Sequence, residues 1–274
     1  MSFLTLKQVS HHYFSKNSYT KALENISFSV EEGEFISLLG PSGCGKSTLL
    51  SIIAGILEQT AGEVYLEEEP VRKSKMAVGY MLQQDYLFPW KNILDNILIG
   101  PKIHHQDTKE MIERALTLLG EVGLKNVSHL HPNALSGGMR QRAALVRTLI
   151  NDPKLFLLDE PFSALDFQTK LKLEDLVANL LKNYHKTAIL VTHDIGEAIA
   201  MSDRIFMMDA NPGTIAAVFH VPEELRQETP LKARNHPKYR ELFDQIWEEL
   251  EKIEKNLEGG EEGHETGPFR SETI

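Results

Sequence analysis

One cysteine in 274 residues, Cys44, excludes an internal disulfide and fits a reducing compartment. Apolar runs reach only about five to seven residues, whereas a membrane-spanning helix needs about 18 to 20, and the N-terminus has no apolar segment of the secretory kind. The chain is therefore expected neither to cross a membrane nor to be exported. A basic surplus is missing as well: 29 Lys and Arg against 39 Asp and Glu give a formal charge of −10. This leaves no footprint for nucleic acid and no polybasic face for anionic lipid. Residues 221–274 hold 14 acidic and 8 basic side chains, so most of the surplus sits in the C-terminal fifth. Internal repeats and metal-ligand spacings are absent too, and the pairs His11-His12 and His104-His105 read as solvated loop residues.

What is present is enough for a core, with 42% hydrophobic residues. Residues 3–39 alternate short apolar runs (Leu4-Thr5-Leu6, Ile26 to Val30, Phe35 to Leu39) with turn formers, which predicts an N-terminal β layer. From about 92 to 150 the period becomes helical, with Ile112, Ala115, Leu116 and Leu119 on one face and a further helix from Arg140 to Ile150. Leu155 to Leu158 and Thr187 to Val191 then read as buried strands around a helix near 166–184, so an α/β core resumes. After Pro222 and Pro230 come Tyr239, Leu242, Phe243, Ile246, Trp247, Leu250, Ile253 and Leu257 at three- and four-residue steps. They predict an amphipathic helix over 237–257, ended by Gly259-Gly260 and followed by a disordered end. Its apolar face either packs on its own domain or meets another subunit.

The run Gly40, Pro41, Ser42, Gly43, Cys44, Gly45, Lys46, Ser47, Thr48 fits G-x-x-x-x-G-K-[ST]. Backbone N–H groups of such a loop, with the positive N-terminus of the next helix, surround phosphates. The required context is there: Phe35 to Leu39 reads as a buried strand before it and Thr48 to Ala54 as an apolar helix after it. That helix N-terminus and Lys46 would lower the Cys44 thiol pKa, although a thiol has no part in phosphate chemistry.

Downstream stand GYMLQQDYLFPW (79–90), LSGGMRQRAALVRTL (135–149), LFLLDEP (155–161), SALD (163–166) and VTHD (191–194). In this order, over about residues 1–220, the chain resembles the ATPase subunits of ATP-binding cassette (ABC) transporters. The resemblance implies an α/β P-loop NTPase domain with a RecA-like core, an N-terminal antiparallel β layer and a helical signature subdomain at about 86–150, followed by an acidic extension over 221–274. It also implies ATP and magnesium as ligands. Lys46 would reach the β- and γ-phosphates, and Ser47, Asp159 and Gln83 would hold magnesium. Glu160 would act as general base or water-positioning group, with His193 and Gln83 beside the γ-phosphate. Gln84 is the alternative to Gln83. Tyr13 stands where the family stacks adenine on an aromatic face, with Phe14 or Tyr19 as alternatives.

By the same resemblance Ser136, Gly137 and Gly138 face a γ-phosphate bound by a second copy of the chain, and Asp166 crosses the interface of an ATP-sandwich dimer, so the signature has no purpose within one subunit. The partners implied are integral-membrane permease subunits and, indirectly, a solute-binding protein, with no nucleic acid. The place implied is the cytoplasmic face of the membrane, reached through the permease. Tyr86 to Trp90, LDNILIG (94–100) and MSDRIFMMDANPGTI (201–215) are similar to the nitrate, sulfonate and taurine import subgroup, although His131-Pro132 stands where an aromatic residue before proline is usual. Importers of a thiamine-precursor pyrimidine look similar there, and an exporter with separate membrane subunits is a further alternative.

Overall fold

The computed structural model describes residues 2–14, 19–73 and 77–261. Two sheets organise the chain. Strands β1 (Leu4–Phe14), β2 (Tyr19–Val30), β4 (Ala61–Leu66) and β5 (Glu69–Pro70) form an antiparallel sheet in the order β2-β1-β4-β5. The second sheet runs β10-β9-β3-β8-β7-β6. In it β3 (Phe35–Leu39), β6 (Val78–Met81), β7 (Leu155–Asp159), β8 (Thr187–Thr192) and β9 (Arg204–Asp209) are parallel, and β10 (Thr214–His220) is an antiparallel edge.

The layer grouping of the first 39 residues needs one correction: Phe35 to Leu39 belongs to the parallel sheet. The burial pattern gives the reason. All five residues of β3 and of β7 and all six of β8 are buried, as in strands covered on both faces, while β1 and β2 alternate buried with exposed positions. One face of the parallel sheet packs with α1 (Lys46–Ile53) against the antiparallel sheet, through Ile36, Leu38, Leu157 and Val191 on Leu4, Leu6 and Val64. His11 lies in this region and is only 6% exposed, so it is a strand residue and not a solvated loop residue; His104 and His105 are exposed.

The other face carries α2 (Ile93–Ile97), α3 (Ile99–Ile103), α4 (Lys109–Glu121), α5 (Gly137–Leu149) and α6 (Phe167–Asn183). Side-chain caps set several starts: Asn92, Thr108 and Ser136 accept from Asp95, Met111 and Met139 backbone N–H groups at 2.7, 3.3 and 3.4 Å. The Ser136 cap starts α5 three residues before the expected Arg140. On α4 the buried face is Ala115, Leu118 and Leu119, and Leu116 points outward.

Helix α7 (Ile195–Met201) is buried at every residue. The helices that cover it are α8 (Glu223–Arg226), α9 (Pro230–Ala233) and α10 (Pro237–Glu261), so the segment around Pro222 and Pro230 is itself partly helical. Leu242, Ile246 and Ile253 of α10 share a cluster with Ile195, Ile199, Val221 and Leu225, so this face packs on its own domain. The helix also runs through Gly259-Gly260, past the expected stop. Residues 262–274, expected to be disordered, lie outside the described residues.

Ile246 is fully buried and Trp247 is 49% exposed. Ile246→Ala is expected to cost about 2–5 kcal/mol in urea unfolding, and Trp247→Ala only about 1 kcal/mol. Similar small losses for both would contradict the docking of α10.

Candidate active site

The loop after β3 is shaped by what it passes. A Cβ on Gly40 would stand 2.6 Å from the Met208 carbonyl oxygen of β9, and one on Gly45, at φ +96°, would stand 2.6 Å from Leu23 and 2.9 Å from the Ala22 carbonyl of β2. Only glycine permits both the approach and the left-handed turn. The turn delivers Lys46 to the first position of α1. Its Nζ donates to the carbonyls of Gly40 and Pro41 at 2.7 and 2.8 Å, which ties the loop around its own ammonium group. Cys44 is fully buried, and burial raises its thiol pKa despite Lys46 Nζ 3.5 Å away, which reverses the expected activation.

The ends of β7 and β8 bring the acidic groups alongside. Asp159 Oδ1 accepts from Ser47 Oγ at 3.1 Å and Oδ2 accepts from the Tyr80 hydroxyl at 3.1 Å. Burial raises the Asp159 pKa, opposed by these two donors, and burial together with Asp159 raises the Tyr80 phenol pKa. Glu160, the next residue, has left its strand in the left-handed region at φ +46°, an uncommon conformation for a residue with a Cβ. Its N–H donates to the Val191 carbonyl of β8 at 2.9 Å, which fixes this turn against the neighbouring strand. Gln83 Nε2 lies 3.3 Å from Glu160 Oε2 and from Ser163 Oγ, and His193 Nδ1 lies 3.5 Å from the same Glu160 oxygen. Thus Gln83 is the glutamine that the fold brings to Glu160. The Ser47 hydroxyl and the Asp159 carboxylate, side by side, are oxygen donors suited to a hard cation such as magnesium.

Tyr13 reaches the same region, with its hydroxyl 3.2 Å from Thr48 Oγ1. Phe14 and Tyr19, at 74% and 66% exposure, lie instead against each other at the ends of β1 and β2.

The signature segment does have a purpose within one chain. Ser136 caps α5, and a Cβ on Gly138 would stand 2.6 Å from Thr169 Cγ2, so this glycine lets α5 meet α6. Asp166 caps α6 by accepting from the Thr169 N–H at 3.1 Å. Ser136 and Gly137 stay exposed, and among the described residues no hydrogen bond joins them to the Gly40–Thr48 loop.

Several residues escaped the reading of motifs. Tyr80 on β6 carried no signal beyond being a hydroxyl-bearing aromatic in a strand. Asn96 is fully buried: its Oδ1 accepts from the Phe88 N–H at 2.7 Å and its Nδ2 donates to the carbonyls of Phe88, Lys91 and Asn92. Arg147 donates to the carbonyls of Asp85 and Tyr86, and Arg140 Nε pairs with Asp85 Oδ2 at 2.9 Å. Together they pin the 85–91 loop while Tyr86 and Trp90 remain 58% and 71% exposed.

Residues 23–163 match the family described as ABC transporter. The chain is 57% identical to an uncharacterized ABC transporter ATP-binding protein of Bacillus subtilis (strain 168), over 93% of this chain and 98% of that protein. It is 36% identical to an aliphatic sulfonates import ATP-binding protein of Bacillus cereus, over 90% of this chain and 96% of the relative. Among solved structures it superposes on a dimeric ATP-binding cassette in a post-hydrolysis state bound to ADP and Pi, with TM-score 0.72 and 32% identity, over 80% of this chain and 99% of that one. The chain belongs to the ABC transporter ATP-binding family and is an ATPase.

The Tyr80 hydroxyl favours ionised Asp159, so Tyr80→Phe raises the Asp159 pKa further. In the nucleotide-free protein the Asp159 carboxyl titration, followed by NMR, is expected to move up by about one pH unit. An unmoved titration would show that Tyr80 does not tune Asp159.

Proposed function

We propose that this member of the ABC ATPase family drives an importer, in which ATP-driven closure of a dimer is coupled to uptake of a sulfonate, taurine or nitrate. The observation that supports its chemistry is the convergence of Ser47-Asp159 with Gln83-Glu160-His193 at the ends of adjacent strands. Phosphoryl transfer to water needs charge neutralisation and alignment more than covalent help from the protein.

Lys46 exchanges its carbonyl partners for the β- and γ-phosphates, and the N–H groups from Gly40 to Thr48 cradle them. Ser47, Asp159 and Gln83 would hold magnesium, which would supply neutralising charge beside those phosphates. Glu160 orients and deprotonates the attacking water, Gln83 and His193 hold that carboxylate and the γ-phosphate in line, and Tyr13 stacks the adenine.

Ser136, Gly137 and Gly138, at the start of α5, complete the site of a second copy, with Asp166 at the interface. The exposed aromatic platform of Tyr86, Phe88 and Trp90 receives an integral-membrane permease subunit, which places the chain at the cytoplasmic face of the membrane and links it to a solute-binding protein. None of the described helices is long and apolar enough to cross a membrane. The solute class rests on the similarity to the sulfonate importer ATPase.

Glu160→Gln is expected to slow hydrolysis about 100-fold or more and to accumulate an ATP-bound dimer in light scattering. A monomer at saturating ATP would contradict the clamp. The solute is tested by growth of a strain lacking the gene on single sulfur or nitrogen sources. A selective defect on a sulfonate, taurine or nitrate, rescued by wild type and not by Lys46→Ala, is expected. Normal growth on all of them, without a redundant importer, would favour a pyrimidine precursor or export.

A further inference from the structure

The described residues hold a second polar cluster behind the site, and the chemistry above does not use it. Lys170 and Glu174 stand four residues apart on α6, which puts them on one helix face. Lys170 Nζ bridges Asp194 Oδ2 and Glu197 Oε1, both at 2.6 Å. Asp194 directly follows His193 and caps α7 through the N–H groups of Gly196 and Glu197 at 2.7 and 3.2 Å. Glu197 also accepts from the Thr192 hydroxyl, and Thr192 Oγ1 accepts from the Asp194 N–H at 3.0 Å. His193 is therefore flanked by Asp194, which pairs with the part-buried Lys170 ammonium group, and by Thr192, which reaches the same group through Glu197.

The C-terminal extension closes this cluster from outside. Arg234, the residue that ends α9, places Nη2 2.7 Å from Glu174 Oε2, and Glu174 is completely buried. Burial pushes the Glu174 carboxyl up to about 7, against the pull of Arg234. The Tyr239 hydroxyl of α10 covers Gly196: a Cβ there would stand 2.9 Å from it and 2.9 Å from Asp194 Oδ1. Gly196 is thus the residue that lets the extension seat on the first turn of α7. A third tie is the Leu231 N–H, which donates to Asp175 Oδ1 at 2.9 Å.

We propose that the C-terminal extension is a positioning element for His193. In this arrangement α9 and α10 seat Arg234 and Tyr239 against Glu174 and Gly196, and so hold the Lys170–Asp194–Glu197 lock that sets where His193 stands beside Glu160. Among the described residues, neither Arg234 nor Tyr239 makes a hydrogen bond or ion pair with the Gly40–Thr48 loop or with Glu160. They act through α6 and α7, on two helices whose first turns carry Asp166 and follow His193. This inference rests on the role proposed for His193.

The test is steady-state hydrolysis by the purified full chain, with the thermal midpoint and the affinity for a fluorescent ATP analogue measured alongside. Arg234→Met is expected to lower kcat about tenfold while KM for ATP stays within about twofold, and Arg234→Lys to recover most of the loss. Gly196→Ala, which leaves every buried charge paired, tests the same contact if Arg234→Met does not fold, and the same kcat loss is expected. His193→Ala is the reference. Wild-type turnover in Arg234→Met and Gly196→Ala, beside a slow His193→Ala, would overturn this inference alone. Joint loss of kcat, nucleotide affinity and thermal midpoint, not recovered by Arg234→Lys, would overturn it in favour of a merely structural role. Wild-type turnover in His193→Ala would instead overturn the role given to His193, and the inference with it.

Discussion

Three neighbouring strands buried on both faces constrain everything else in this molecule. β3, β7 and β8 are joined by parallel ladders to one another and to β9 and β6, and all their residues are buried, so functional groups emerge at the strand ends. At their C-terminal ends the chain places Gly40, then Asp159 and Glu160, then Thr192 and His193. The site is where adjacent parallel strands run out, as in open α/β sheets generally. Asp159 shows how narrow the margin is. As the last residue of a buried strand it would be an uncompensated carboxylate, and hydroxyl donors from Ser47 and Tyr80 on two sides offset that cost.

The phosphate loop obeys the same constraint from the other direction. It leaves β3 between β9 and β2, and the close approaches at Gly40 and Gly45 leave no volume for a side chain. With the backbone path imposed by its neighbours, Lys46 satisfies its buried ammonium group on the carbonyls of Gly40 and Pro41. The loop is preorganised by its own cation. Phosphate then competes with carbonyl oxygens for a charge that is already in place, which lowers the reorganisation needed on binding.

Much of this was legible along the chain because the determinants are local. The glycines and Lys46 at fixed spacing, the uninterrupted apolar runs of β3, β7 and β8 and the steps of α10 each lie within one element. The misreadings and omissions depend on what lies opposite. Phe35 to Leu39 looks like any short strand until its second face is covered, and Leu116 fits the period of α4 but not the face that neighbours select. His11 is buried, with its ring edge-on to Tyr13, by its place on one face of β1, which a histidine pair cannot announce. Tyr80, Asn96, Arg140 and Arg147 act by reaching across 8 to 79 residues of sequence. Gly138 has a signature-motif reading and a packing reading at once, and only the position of Thr169 reveals the second.

Residue 221 marks a change in composition, yet the physical core continues through it. α7 is two turns long and buried all round, so something must cover the side facing away from the sheet, and Leu242, Ile246 and Ile253 of α10 do so. A helix this short is held by packing rather than by its own propensity. Its position, and with it that of the residue just before its cap, therefore follows the elements that enclose it. Those elements are α6, which begins at Asp166, and the extension. The apolar contacts of α10 set how far α7 can shift, and the Lys170 bridge and the Arg234–Glu174 pair restrict the direction. Because the cluster sets Asp194, Glu197 and Glu174 against two cations, loss of Lys170 leaves the buried Glu197 carboxylate without its partner, and loss of Arg234 drives the Glu174 carboxyl, already pushed up to about 7, toward its neutral form. The histidine turn and the acidic extension are thus two ends of one packed unit, and the charge that joins them lies on α6, the helix that Asp166 caps.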